Sequence, residues 1–276
     1  NVDRAEFERD LPAILDAMDM PSIDGINTWF VAKAAHEAGI KVALSGLGAD
    51  ECFGGYPSFA DVPRSVHWLR PVGWLPGLGA LVRRGMTGAI GAGLGVHPKT
   101  AGLLQYGGSW AGAYLLRRSV YMPWELDDLL DPGLLREGLR RLAPLRRIGA
   151  TLNGGGSLGD FDRVAALETS LYMRNQLLRD ADWAGMAHSV EIRVPYVDPF
   201  FLAALPPGDV LAGVNAKAAV ADIPVPPLPA ASRERSKTGF VTPVGRWLRE
   251  AGGGGQGTMN LSVASRDWAL RVWQAG

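Results

Sequence analysis

The stretch from Asn27 to Tyr56 constrains the fold more than any other part of the chain. A helical pattern beginning near Asn27 or Thr28 runs through Trp29, Phe30, Val31, Ala34 and Ala35, with Gly39 placed as its C-terminal cap. The short apolar run Ile40-Lys41-Val42-Ala43-Leu44 follows and predicts a buried strand. A glycine-rich turn, Ser45-Gly46-Leu47-Gly48, comes directly after it. Helix, glycine, strand and glycine-rich turn in that order are the grammar of a parallel α/β sheet.

That turn also carries the strongest chemical signal. A hydroxyl and two glycines after a strand expose backbone N–H groups at the strand's carboxyl end, where open α/β sheets bind ligands. Two adjacent carboxylates, Asp50 and Glu51, come next. Beside an anion-binding turn they make sense when a divalent cation shares the site, because the cation offsets repulsion between carboxylate and phosphate and takes hard oxygen ligands. The plainer alternative is a glycine-rich turn whose acids cap the next helix. These residues alone leave both open.

Elsewhere the pattern is mainly helical. Asp3 with Glu6 three residues on makes a capping-box-like start, and Phe7, Leu11, Ile14, Leu15 and Met18 recur at helical spacing, with Pro12 counting against the middle. A helix is predicted over Asp160 to Arg179, then a second short one around Asp182 to His188. Thr242-Pro243 opens a helix over Val244 to Glu250, and Ser262 or Ser265 caps a last one bearing Trp268, Leu270, Val272 and Trp273. The expected organisation is residues 1–60 as part of an α/β core and 61–276 as a mostly helical body. Gly (36) and Pro (19) are in excess and clustered near 71–95, 153–159, 224–230 and 252–257, which predicts surface loops there.

Composition removes several classes. Lys and Arg (28) balance Asp and Glu (28), so no general field draws in a polyanion, and nucleic acid is not an expected partner. The lone Cys52 excludes an internal disulfide framework and multi-cysteine zinc sites, and fits a reducing cytoplasm. The best apolar run, Pro71 to Val82, is short and broken by Gly73, Pro76, Gly77 and Gly79, so no membrane span is expected. The chain opens at Asn1 with no basic-then-apolar leader, which predicts a part of something longer and no secretory signal.

Two further segments carry candidate groups. From Arg179 to Asp198 charges alternate with apolar residues, which suggests polar groups projecting from a packed wall. Arg179 with Asp182, and Glu191 with Arg193 or Asp198, can pair and hold the structure in register. His188 lacks a second His or Cys at ligand spacing and is taken as structural. Lys237, flanked by small residues and Gly239 before a capped helix, can extend into a cleft and stabilise growing negative charge; the plain alternative is a solvated loop lysine.

Taken in order, these segments resemble the synthetase domain of bacterial glutamine-dependent asparagine synthetases. The residues that carry the resemblance are Pro21 to Thr28, Ser45 to Tyr56, Arg179 to Asp182 with Met186 to Asp198, Lys237-Thr238-Gly239-Phe240, and Trp268 to Trp273. The resemblance implies a partial adenine-nucleotide-hydrolase-like (Rossmann-like) parallel sheet followed by helices. It also implies ATP-dependent amide formation. Magnesium ATP adenylates the side-chain carboxylate of aspartate, pyrophosphate leaves, and ammonia from glutamine attacks the acyl-adenylate to give asparagine and AMP. By this carry-over Ser45 and Gly46 contact the adenylate, Asp50 and Glu51 belong to the nucleotide site with Asp50 approaching magnesium pyrophosphate, Lys237 stabilises the transition state, and Asp182 lines the substrate cleft. A homodimer is left open.

Three departures from the family pattern stand out. The Ser-Gly-Gly-x-Asp-Ser pyrophosphate turn and the N-terminal glutaminase cysteine are not in these residues, so the chain is expected to be the C-terminal part of a larger synthetase and inactive alone. Leu47 stands where a glutamate is usual, and leucine cannot accept a proton. Trp183 stands where an arginine is common. The last two hint at an amidotransferase-like enzyme for a different carboxylate or amine. A non-catalytic interaction module that keeps the fold is the alternative from another class.

Overall fold

The computed structural model describes residues 2–71, 77–91, 97–153, 158–212, 220–233, 243, 247 and 261–275. In chain order the elements are α1 (Arg4–Ala17), α2 (Gly25–Glu37), β1 (Val42–Leu44), α3 (Ala49–Cys52), α4 (Ser58–Leu69), α5 (Leu78–Gly91), α6 (Leu103–Tyr106), α7 (Trp110–Arg118), α8 (Pro132–Leu142) and α9 (Pro144–Thr151). They continue with α10 (Asp160–Leu167), α11 (Leu178–Ala187), β2 (Glu191–Arg193), α12 (Pro199–Ala204), α13 (Gly208–Ala212), α14 (Ala230–Arg233) and α15 (Leu261–Ala275). This is the expected helix-dominated α/β class with a small parallel sheet. Two compact units interleave along the chain: Asn1–Cys52 with Tyr172–Leu205 and Lys217–Gly276, and Phe53–Leu171 with Pro206–Ala216.

In the first unit, the Asp3 carboxylate accepts from the Glu6 backbone N–H at 2.8 Å and starts α1. The helix then runs straight through Pro12. Pro12 and Glu8 are both exposed, so the Glu8 carbonyl that loses its helical donor meets water, while Phe7, Leu11 and Ile14 pack inward. Trp247 and Trp268 close around Phe7, with ring centroids 5.4 and 6.3 Å away. The Trp268 indole N–H donates to the Ser22 carbonyl at 3.1 Å, which ties α15 to the segment before α2.

α2 begins at Gly25, earlier than the expected Asn27 or Thr28. A side chain at Gly25 would put its Cβ 2.2 Å from the Trp183 ring, so only glycine lets α2 approach α11 this closely. β1 pairs in parallel with β2 in the register Val42 to Glu191, Ala43 to Ile192 and Leu44 to Arg193. The expectation of a buried strand is corrected: Val42 is 43% exposed and Leu44 77%. Among the described residues β2 is the single strand beside β1, and the face carrying those side chains is exposed.

Other expectations need correction too. The helices predicted over 160–179 and 182–188 form one uninterrupted helical run, in which a π-helical segment, Glu168–Leu177, joins α10 to α11. Ser262 and Ser265 lie inside α15 rather than capping it. The supposed 71–95 loop contains the 14-residue helix α5. One of its glycines serves close approach: a Cβ on Gly79 would sit 2.6 Å from the Gln105 backbone, whereas Gly85 and Gly88 face open space. Residues 224–229 are non-helical as expected, whereas 252–257 and the Val244 to Glu250 helix, apart from Trp247, lie outside the described residues. No described helix is long and apolar enough to cross a membrane.

The second unit is built on two apolar clusters, one of Val62, Val66, Ala113 and Val164 and one of Tyr114, Ile148 and Leu167. Between the helices that carry them sits Glu168, which is fully buried. Its carboxylate accepts from the Ser58 hydroxyl, from the Tyr114 hydroxyl at 3.1 Å and from Arg118 Nε at 2.9 Å, with Arg118 Nη2 at 2.7 Å. Burial and the neighbouring Glu168 push the Tyr114 phenol well above its ordinary range, so it stays protonated and can donate to the carboxylate. The Arg118 guanidinium lies 4.6 Å over the ring of Tyr56.

Candidate functional site

The turn after β1 is the best-formed candidate. The Ser45 backbone N–H donates to the Arg193 carbonyl at 2.8 Å, prolonging the parallel ladder by one step. The Ser45 hydroxyl then turns back and accepts from the Leu47 N–H at 3.3 Å. Gly48 has φ +94°, and a Cβ there would lie 3.0–3.2 Å from Val197 and Tyr196, so glycine is needed both for the backbone conformation and for space. Its carbonyl accepts from the Cys52 N–H at 2.9 Å and starts α3. Gly46 is exposed with nothing near the position of a Cβ, so the turn is open at the carboxyl end of the strand.

The two acids of the turn have different environments. Asp50 is half-buried, whereas Glu51 is 1% exposed and faces the interior. Among the described residues no group of three or more His, Cys, Asp or Glu side chains could hold a metal ion. A magnesium ion here would be held by the Asp50 carboxylate with phosphate oxygens and waters, the coordination magnesium ordinarily takes beside a nucleotide. Cys52 is buried near the Tyr196 carbonyl, and burial with the adjacent Glu51 pushes its thiol up to about 11, so it is no nucleophile.

α11 separates the other candidates. Arg179, Asp182 and Met186 lie on its exposed side, whereas Asp180, Ala181, Trp183 and Ala184 are buried. Arg179 pairs with Asp19, not with Asp182. Glu191 and Arg193 pair at 2.8 Å on the exposed sheet face, and Asp198 caps α12 by accepting from the Phe200 and Phe201 N–H groups. His188 packs edge-on to Trp29, with centroids 4.3 Å apart, and burial with His36 and Lys33 nearby lowers its pKa, so it is a neutral structural ring. Ser45, Gly46, Asp50 and Glu51 thus share one turn, Asp182 stands on the outer side of α11, and Lys237 lies outside the described residues.

The acid that residue patterns do not single out is Asp180. Its carboxylate accepts from the Ser22 hydroxyl at 2.7 Å and the Trp183 indole N–H at 3.0 Å. Two residues from Ser22, Asp24 accepts from the Tyr172 hydroxyl at 2.8 Å and from Gln176 at 2.7 Å. Only the alternation of charged and apolar residues around 180 signals such buried polar groups. Trp183 is thereby a core residue that hydrogen-bonds an acid.

Burial raises the Asp180 pKa to about 6; the Ser22 and Trp183 bonds oppose this, and Asp24 and Asp19 reinforce it. A raised folded-state pKa means that the folded protein holds the proton more tightly, so stability falls as pH rises from about 4 to about 6, by roughly 3 kcal/mol. Asp180→Asn keeps an acceptor for Trp183 and a partner for Ser22, and is expected to flatten that fall. Urea unfolding at pH 4.5 and 7 checks it, and an unchanged pH dependence in the variant refutes the assignment.

The sequence has recognisable relatives. The family profile for asparagine synthase matches residues 1–253. A putative glutamine-hydrolysing asparagine synthetase of Mycobacterium tuberculosis is 32% identical over 250 residues, covering 88% of this chain and 36% of that protein; its Mycobacterium bovis counterpart gives the same figures. The glutamine-hydrolysing asparagine synthetase 1 of Bacillus subtilis is 30% identical over 263 residues, covering 88% of this chain and 37% of its own length. The chain therefore spans little more than a third of these curated relatives. No solved structure matches it. With a profile match over most of its length, and an open glycine turn and acid at the end of a parallel strand, the chain belongs to the asparagine synthase family.

Proposed function

We propose that the chain is the synthetase part of a larger ATP-dependent carbon–nitrogen ligase. It forms an amide from a carboxylate, aspartate in the first instance, and ammonia released from glutamine. The observation that carries this is the open Ser45–Gly46 turn with Asp50 at the carboxyl end of β1, in a chain of this family. A carboxylate is a poor electrophile because its oxygen is a very bad leaving group. Transfer of AMP to that oxygen, with loss of pyrophosphate, makes the carbonyl attackable, and ammonia then displaces AMP. In this scheme the Ser45–Gly46 backbone receives the adenylate phosphate, Asp50 holds magnesium, which neutralises phosphate charge, and Lys237 stabilises the charge that develops as the bond forms. Asp182 contributes from the exposed side of α11. The upstream glutaminase and pyrophosphate-turn segments of the parent protein are its partners.

Leu47 favours a second form of the same reading. An apolar side chain in the turn supplies no base for the incoming amine and offers an apolar contact to an amine or carboxylate less polar than ammonia and aspartate. One experiment addresses both. The longer protein and the 276-residue chain alone are given magnesium ATP, ammonia and a panel of carboxylates, and AMP and pyrophosphate are measured. Carboxylate-dependent AMP from the longer protein, with none from the chain alone, is expected. Asparagine formation identifies the first form, and AMP with another acid the second. AMP formation with no carboxylate dependence refutes both.

A further inference from the structure

The second unit contains a cavity of about 220 Å³ that none of the chemistry above uses. Its base is apolar. Val62 of α4 and Ala113 of α7, 1% and 4% exposed, meet there, and Leu116, one turn beyond Ala113, continues the wall. Both residues at the base are short and leave a hollow above them unfilled. The volume is below the roughly 300–1,000 Å³ of sites for drug-sized ligands, so the occupant is small.

The lip of the cavity is charged. Arg117 from α7, Lys99 from the turn Pro98–Gly102 and Asp61 from α4 line it. Arg117 Nη1 is 3.7 Å from Asp61 Oδ2, and Arg64 stands 3.9 Å from the other oxygen of the same acid. Neither distance makes a hydrogen bond. Asp61 is therefore a loose counter-ion shared by two guanidinium groups. A planar guanidinium with unspent N–H groups is matched by an incoming carboxylate, which it can hold through two parallel bonds.

The geometry points to a binding site for a small organic monocarboxylate with a short apolar body, its hydrocarbon on Val62, Ala113 and Leu116 and its carboxylate displacing Asp61 from Arg117. Neutral or cationic molecules of the same shape forfeit the Arg117 contact. The site does not depend on amide synthesis and is measured without nucleotide, so its failure and the failure of the proposed function are distinguishable.

The test titrates the purified protein with straight-chain carboxylates from propanoate to octanoate, and with the matching alcohols and amines, by calorimetry. Affinity for the carboxylates is expected to rise about fourfold for each methylene buried until the cavity is full. The alcohols bind about tenfold more weakly, Arg117→Met and Lys99→Met each weaken the carboxylates, the former by about tenfold, and Asp61→Asn tightens them. Equal binding of alcohol and carboxylate overturns the proposal. So does preferential binding of the amine with loss on Asp61→Asn, which marks a cation site, and so does the absence of saturable binding by any carboxylate. Unchanged melting temperatures confirm that the variants are folded.

Discussion

Glu168→Ala is expected to destabilise the second unit by about 3 kcal/mol, which lowers its melting temperature by about 6–12 °C. The cause is what the substitution leaves behind. Glu168 is fully buried, and the side chain of Arg118 is 23% exposed. Without the acid, Arg118 keeps a charge in a largely dry place, the Ser58 hydroxyl loses its acceptor, and the Tyr114 hydroxyl is left with the Leu167 carbonyl at 3.2 Å. The residual access of Arg118 to water holds the cost at the lower end of the range for broken buried ion pairs. Glu168→Gln retains one acceptor oxygen and is expected to lose about half as much, since the charge is removed but the hydroxyl partners are not. Chemical denaturation of both variants checks the order. A loss in Glu168→Ala below about 1 kcal/mol, the value of an ordinary neutral hydrogen bond, shows that the network is not a charge clamp.

Asp50→Asn in the parent protein is expected to lower kcat/KM for carboxylate-dependent AMP formation by about 100- to 1,000-fold, with little change in melting temperature. The amide has nearly the shape of the acid but supplies no negative oxygen to a magnesium ion. Because Asp50 is half-buried at an open turn, its loss is not expected to unfold the chain. Raised magnesium is expected to restore part of the rate, a response that a purely structural defect does not show. Glu51→Gln is the contrasting variant: Glu51 is 1% exposed, so its effect is expected on stability before rate. Full activity in Asp50→Asn removes this residue from the mechanism and weakens the proposed function with it.

What was legible in the residues is what depends on local order. Asp3 with Glu6, and the spacing of Phe7, Leu11 and Ile14, specify α1 because a cap and a 3.6-residue stripe act within one helix. Ile40 to Leu44, then Ser45 to Glu51, mark a strand and a turn because an apolar run followed by hydroxyl and glycines is a local signal, although the pairing with β2 and the closeness of Tyr196 and Val197 complete them. The helix α5 was hidden because its glycines look like loop residues, while close packing against the backbone at Gln105 gives Gly79 a reason to be small inside a helix.

Tertiary structure decided which side of each element faces the interior. Asp180 and Asp182 are two residues apart and chemically alike, yet the rotation of α11 against α2, set by Trp183 packing on Gly25, buries the first beside Ser22 and leaves the second in water. The exposure of Val42 and Leu44 has the same origin, since an apolar strand is buried only if something lies across its face. Residue order therefore determined α1, the existence of α2 and the strand–turn order at Ile40 to Glu51, through forces that act over one or two turns of chain. Burial of Asp180, Glu51 and Glu168 came from contacts between residues far apart in sequence, which no local pattern encodes.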